Sequence, residues 1–212
     1  MHGEKKPPCL RISVACCLVI VGLSPVSGQR LLDRVLARVN GNPITLTDVQ
    51  AAMGLGVIQV PAGAEGVAAG TQQMIDRQLE LEEVLRFPPP EPDPTAVMRE
   101  AARLKMNAGT RLPELMPSTG ITEQRVVDVA RDTLRIAAYL DQRFGVAVQV
   151  SDEEVAAYYR THEAEFTRGG EAMPFEEAEP IARQRVSSER RRATVEQWLR
   201  DLRSRADISI NK

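Results

Sequence analysis

The chain has 212 residues, of which 43% are hydrophobic and 4% aromatic, and its formal net charge at pH 7 is −2. This charge gives no sign of nucleic-acid binding or of a polybasic membrane contact. A core that rests on aliphatic side chains favours packed helices over a β-sandwich or barrel. The length is sufficient for one domain with a substantial core.

Residues 1–28 have the three parts of a cleavable signal peptide. Basic residues (Lys5, Lys6) are followed by an uncharged apolar run at 12–23 and by small residues that end at Gly28. The apolar run is too short to cross a bilayer as a helix, which needs about 20 residues. We therefore expect export, cleavage after Gly28 and no stable membrane anchor.

The expected mature chain, residues 29–212, contains no cysteine, because Cys9, Cys16 and Cys17 all lie in the signal. Disulfides and thiolate metal sites are therefore excluded there. His162 is its only histidine, which argues against a zinc site, and it fits an exposed helix position better than a general base. We expect no catalytic residue, metal or cofactor.

The first part of the expected mature chain favours two short strands joined by a turn. Residues 33–40 alternate apolar and polar side chains, Asn40 and Gly41 favour a tight turn, and residues 43–45 favour a short return strand. Thr47, with Gln50, predicts the start of a short helix that runs through Met53. The glycine-rich residues 54–70 predict a long mobile connection.

Helical patterns dominate the rest of the chain. Helices are predicted over 71–87 and 94–107, then a proline-containing linker over 112–120, then a long amphipathic helix that Thr122 caps and that ends at Phe144. Ser151 and Glu154 predict a capping box for a helix to about Phe166.

The end of the chain predicts a last helix and a strand. The helix runs from Pro174 to about Arg205 after a break at Gly169, and residues 207–210 alternate again. Neither a short strand nor an isolated hairpin is stable alone. We therefore predict that the C-terminal strand pairs with the N-terminal hairpin, which gives a mainly α domain closed by a small antiparallel sheet.

Three stretches together resemble the SurA-type periplasmic chaperones and their parvulin-like peptidyl-prolyl isomerase relatives. They are RVLARVNGNPITLTDVQAAM (34–53), the segment 121–166 with VQVSDEEVAAYYRTHEAEF, and 174–210 with PFEEA and then WLRDLRSRADISI. The resemblance implies a periplasmic protein with a SurA N-terminal-domain-like fold. It covers residues 29–212 as one domain, with hairpin and helices over 29–168 and a returning helix and strand over 174–212.

The departure from the family lies at residues 167–173. The isomerase domain of the relatives would stand there, and such a domain needs on the order of a hundred residues. The resemblance thus implies a chaperone module that binds unfolded or partly folded envelope and outer-membrane proteins without ATP and without prolyl isomerisation. Two alternatives stay open, a structural or adaptor protein with one dedicated envelope partner, and a residual isomerase.

Methionines and one apolar island are the candidate client-binding features. Methionine is flexible, so a methionine-lined groove accepts varied apolar side chains. The island at 57–60 would add a strand to an extended client or cover a groove. The alternatives are ordinary core packing for the methionines and a floppy insertion for the island. The candidate residues are Met53, Val57, Ile58, Val60, Met98, Met106 and Met116.

Charge clusters and a short hinge complete the sequence-based expectations. Acidic clusters at 152–154 and 176–179 fit the first turns of helices. The basic run 190–192 is expected to form a solvated helix face paired to Glu189 and Glu196. The short hinge between Phe166 and Pro174 favours a domain-swapped homodimer that exchanges residues 174–212.

Overall fold

A computed structural model describes residues 1–3, 33–60, 65–145 and 150–211. The predicted signal peptide, apart from its first three residues, lies outside the described residues. The helices and strands described below lie in the unit that begins at Asp33. None of its described helices is both long enough and apolar enough to cross a membrane.

The described unit is mainly helical with a small antiparallel sheet, which confirms the predicted fold class at this level. Long helices form most of it, and the strands are short. In chain order the elements are β1 (Val35–Val39), β2 (Asn42–Thr45), α1 (Leu46–Gly54), α2 (Gly66–Arg86), α3 (Pro94–Ala108), α4 (Leu112–Thr119), α5 (Glu123–Phe144), α6 (Asp152–Thr161), β3 (Thr167–Arg168), β4 (Glu171–Ala172), α7 (Phe175–Arg205) and β5 (Ile208–Ile210).

The main sheet joins the two ends of the domain. Its strand order is β2-β1-β5, with both pairs antiparallel and Arg38 opposite Ser209. Asn40, at φ 49, turns the chain from β1 to β2. The backbone N–H of Asn40 donates to the carbonyl oxygen of Asp207 at 2.8 Å, and its Oδ1 accepts from the Asp207 N–H at 2.9 Å. The predicted pairing of the C-terminal strand with the hairpin is confirmed.

The first helix begins earlier than predicted. Thr45, not Thr47, is the N-cap of α1, because Asp48 completes a capping box with it. Thr47 instead donates a hydrogen bond to the carboxylate of Asp33. The second helix also begins earlier, at Gly66, so residues 66–70 are helical where the sequence predicted a mobile connection. A Cβ atom at Gly70 would lie 2.8 Å from Cγ1 of Val49, so this glycine permits α1 and α2 to pack closely.

The predicted linker over 112–120 is wrong, because residues 112–119 form α4. Pro113 stands in the first turn, where a helix needs no amide hydrogen. Pro117 lies inside the helix and removes one backbone hydrogen bond. Leu112 and Leu115 pack against the core formed by α3 and α5, and this burial outweighs the loss. Gly120, at φ 71, then ends the helix.

Two hydrophobic cores occupy the larger part of the unit. The first lies between the sheet, α1, α2, the end of α5 and the C-terminal part of α7. Trp198 of α7 packs in it against Tyr139 and Phe144, with ring centroids 5.8 and 5.4 Å away. The second core lies between α3, α4 and the first half of α5. Thr122 caps α5, and Gly145 follows its last residue, both as predicted.

A third, smaller core joins α6 to the beginning of α7. Its buried residues are Val155, Phe166, Met173, Ala178 and Ala182. Residues 167–172 form a tight hairpin, β3-β4, with positive φ at both turn glycines. The segment predicted as a break is therefore folded. The predicted helix to about Phe166 is too long, because α6 ends at Thr161 and a short 3-10 turn follows.

Candidate functional site

An open groove lies beside the C-terminal end of α1, with a volume of about 660 Å³. Its walls come from the last turns of α1, the irregular chain that follows, the start of α2, and α4. We call it the Met53 groove. Its apolar lining residues are Met53, Ile58, Val60, Val67 and Leu115, and the others are Gln50, Gly54, Gly56, Gln59 and Arg111.

The chain after α1 folds back over the end of that helix. The N–H groups of Val57 and Ile58 both donate to the carbonyl oxygen of Ala52, at 2.8 and 3.4 Å. Gly56, at φ 67, permits this reversal, because side-chain-bearing residues rarely adopt such an angle. The reversal buries Ile58 and places it in the same groove as Met53.

A glutamine side chain holds the outer part of this segment. The backbone N–H of Gln59 donates to Oε1 of Gln73 at 3.1 Å, and Nε2 of Gln73 donates back to the carbonyl oxygen of Gln59. The Gln73 amide therefore occupies both backbone groups of Gln59, as a neighbouring strand would. The backbone groups of Gln59 are therefore already hydrogen-bonded, which argues against the hypothesis that a client strand pairs with the island at this residue. The segment forms a wall of the groove instead.

The wall formed by α4 packs tightly on α1. A Cβ atom at Gly54 would lie 2.6 Å from both terminal methyl carbons of Leu115. The leucine side chain therefore rests directly on the glycine backbone and remains partly exposed to the groove. A substitution at Gly54 would force the Leu115 side chain to move, whereas Val60 on the loop takes no part in this contact.

The groove has a simple charge distribution. Arg111 is exposed, and no ion pair or hydrogen bond of its side chain occurs within the described part of the chain. Its sequence neighbour Glu114 does not line the groove and lies outside ion-pair distance. Among the described lining residues Arg111 is the one charge, and the polar remainder, Gln50 and Gln59, is neutral.

A second cleft lies between α1, α2 and α5, with a volume of about 230 Å³. We call it the Arg77 cleft. Nη2 of Arg77 donates to Oγ1 of Thr133 at 2.9 Å and to the carbonyl oxygen of Val129 at 3.3 Å. Burial lowers the pKa of Arg77 and raises the pKa of Asp132, which also lines the cleft. Burial raises the pKa of Glu80, one turn further along α2, to about 7.

The structure divides the predicted client-binding residues between several places. Met53, Ile58 and Val60 meet in the Met53 groove, whereas Val57 lines the Arg77 cleft. Met98 and Met106, 58% and 72% exposed, lie on the outer face of α3 and in neither lining. Met116 is partly buried on α4 and also lines neither.

Among the lining residues that sequence reasoning missed are Val67, Arg111 and Leu115. They lie in or next to segments that the glycines and prolines marked as loops. The spacing of Leu112, Leu115 and Met116 by three and four residues was the signal that would have indicated an amphipathic α4.

His162, which the sequence offered as a possible general base, makes structural contacts. His162 is half buried at the end of α6, stacks on Tyr158 with ring centroids 4.0 Å apart, and places Nδ1 3.0 Å from the Tyr158 carbonyl oxygen. Within the described ranges no cluster of three or more His, Cys, Asp or Glu residues suits a metal ion.

Two of the three arginines of the basic run on α7 form ion pairs with other helices. Arg190 forms an ion pair with Glu154 of α6, and Arg191 forms one with Asp141 of α5. Glu189 instead accepts a hydrogen bond from the Tyr158 hydroxyl at 2.9 Å. The run therefore connects α7 to two other helices. In comparison with known proteins, the chain matches no protein-family model and no curated protein.

Proposed function

We propose that this chain is an ATP-independent chaperone module of the SurA type, which binds unfolded exported proteins in the Met53 groove without catalysing prolyl isomerisation. The observation that carries the proposal is the groove itself, open to solvent and lined by Met53, Ile58, Val60, Val67 and Leu115. Flexible, shallow apolar walls suit many different segments and bind each of them weakly.

The arrangement of elements supports the family assignment within this proposal. A β-hairpin at one end of the domain pairs with a strand at the other end, as the resemblance implies. A hairpin of residues 167–172 occupies the position at which the related enzymes carry their isomerase domain. The client class, envelope and outer-membrane proteins, and the periplasmic location are part of the proposal and rest on the signal-like residues 1–28 and on the resemblance.

Light scattering tests the proposal directly. An unfolded outer-membrane barrel protein is diluted from denaturant with and without residues 29–212, in the absence of nucleotide. We expect suppression of aggregation at near-stoichiometric amounts. The substitution Val60→Asp places a charge in the apolar groove on a partly exposed loop residue, so it is expected to abolish most of the suppression.

The matched control is Ile181→Asp, which adds the same charge at an exposed apolar residue of α7 outside the groove. It is expected to suppress aggregation as well as the unsubstituted chain. Equal loss of activity in both variants would argue against the Met53 groove as the site. No suppression by the unsubstituted chain at several-fold excess would overturn chaperone activity and favour one dedicated envelope partner.

A further inference from the structure

We infer that the Met53 groove selects apolar segments that carry an acidic side chain close to their apolar residues, an inference that rests on the proposed function. Its basis is the single positive charge of the groove. Arg111 stands at the start of α4, and no acidic residue accompanies it among the described lining residues.

Arg111 differs from two of the three basic residues of the neighbouring helix α3. Arg103 of α3 forms an ion pair with Glu100, and Lys105 forms one with Glu123 of α5. Arg111 has no such partner in the described part of the chain, and the residue is exposed. Its charge is therefore available to a bound molecule.

The position of Arg111 combines the charge with the apolar wall. Arg111 directly precedes α4, Leu115 lies about one turn further along the chain, and both line the groove. The opposite wall contributes Gln50, a neutral side chain, beside Met53. A segment whose apolar side chains fill the groove would thus have its flanking polar residues near one cation, with no anion among the described lining residues.

The Arg77 cleft does not share this property. Its lining contains Arg77 and Arg125 together with Asp48 and Asp132, so positive and negative charges accompany each other. An acidic segment gains no comparable preference there. The contrast between the two clefts confines the inferred charge selection to the Met53 groove.

Fluorescence anisotropy with three labelled peptides tests the inference. The peptides share one apolar core and differ only in flanking residues, which are glutamate, glutamine or lysine. An exposed ion pair has a modest effect, so we expect the glutamate peptide to bind roughly two- to five-fold more tightly than the glutamine peptide and the lysine peptide more weakly than both. Added salt should reduce these differences.

Substitutions assign the effect to Arg111. The variant Arg111→Gln is expected to bind the three peptides with equal affinity, and Arg111→Glu is expected to favour the lysine peptide. The control Arg160→Gln removes an exposed positive charge from α6, outside the groove lining, and should retain the original order. Circular dichroism of each variant checks that the fold is unchanged.

The possible failures are distinguishable. Equal binding of the three peptides to the unsubstituted chain would overturn the charge selection and leave the groove as the client site. The same order of affinities in Arg111→Gln would also overturn it, because another charge would then be responsible. Absence of binding for all three peptides, or binding that Val60→Asp does not weaken, would overturn the proposed function together with the inference.

Discussion

Asn40 connects three elements through one side chain and its own backbone. Its Nδ2 donates to Oε2 of Glu82 on α2 at 2.6 Å, and its Oδ1 accepts from the Asp207 N–H beside β5. The residue also adopts φ 49, which asparagine tolerates better than most residues. One short polar residue therefore ties the hairpin, the C-terminal strand and a core helix together.

Replacement of this residue should destabilise the domain. We expect Asn40→Ala to lower the free energy of unfolding by about 2–3 kcal/mol, since alanine at positive φ costs about 1 kcal/mol and each lost hydrogen bond about 1 kcal/mol. Urea denaturation followed by circular dichroism measures the change. Asn42→Ala is the control, because Asn42 contacts only Glu82 through its side chain, and it should cost about 1 kcal/mol or less. Equal losses would contradict the role of Asn40.

Glu80 makes stability depend on pH. Its pKa is raised from 4.5 to about 7 by burial, so the folded state holds this proton more tightly than the unfolded state does. The carboxylate therefore destabilises the fold progressively as the pH rises from 4.5 to about 7, and fully above that range. We expect Glu80→Gln to be more stable than the unsubstituted chain by about 2 kcal/mol at about pH 8.

The two proteins should have the same stability near pH 4, where Glu80 is protonated in both states. Urea denaturation at several pH values measures the difference between them. Glu196→Gln, which removes a carboxylate from an exposed position on α7, serves as the control for the loss of one charge. A Glu80→Gln profile parallel to that of the unsubstituted chain would show that this carboxyl titrates normally.

At the scale of elements, the contact between α1 and α2 depends on Gly70. An added methyl group would lie 2.8 Å from Cγ1 of Val49, whose side chain is fully buried. We expect Gly70→Ala to destabilise the protein by about 1–3 kcal/mol, although alanine alone favours a helix by about 1 kcal/mol. Thermal denaturation shows whether Gly70→Ala is less or more stable than the unsubstituted chain.

The comparison variant is Gly54→Ala, which meets the end of the flexible, partly exposed Leu115 side chain instead. That side chain can rotate away, so this variant should lose less stability than Gly70→Ala. A stabilised Gly70→Ala protein would show that α1 and α2 have room between them.

The elements that the sequence predicted well are those with local signals. The helix α5 has a capping threonine and a regular apolar face, and α6 has a capping box at Ser151, so both starts were identified. The helix α4 was missed because its prolines are local signals against a helix, whereas the burial of Leu115 is a tertiary effect. Part of the Met53 groove was missed for the same reason, since Arg111 and Leu115 depend on α4.

At the scale of the whole described unit, α7 connects two separate cores. Its N-terminal part contributes Ala182 to the small core with α6, and its C-terminal part contributes Trp198 to the main core. No residue of α7 between these two is fully buried. The small core contains few buried residues, so we expect it to unfold locally while the main core stays folded.

Hydrogen exchange should reveal two levels of protection. We expect Phe166→Ala to remove about 3–5 kcal/mol of local stability, so that the amides of α6 and of the start of α7 exchange faster while those of α2 and β1 keep their protection. Trp198→Ala should instead weaken protection in the main core. Uniform loss of protection in Phe166→Ala would show that the two cores unfold as one cooperative unit.

The sheet also constrains when the domain is able to fold. Asn211 Nδ2 donates to the carbonyl oxygen of Val35 at 2.9 Å, although the two residues are 176 positions apart in the chain. The closure of so long a loop is entropically costly and slow compared with helix formation. The ribosome delivers β1 well before β5. Until β5 arrives, one edge of β1 lacks its partner, and the nascent chain remains an unclosed helical intermediate.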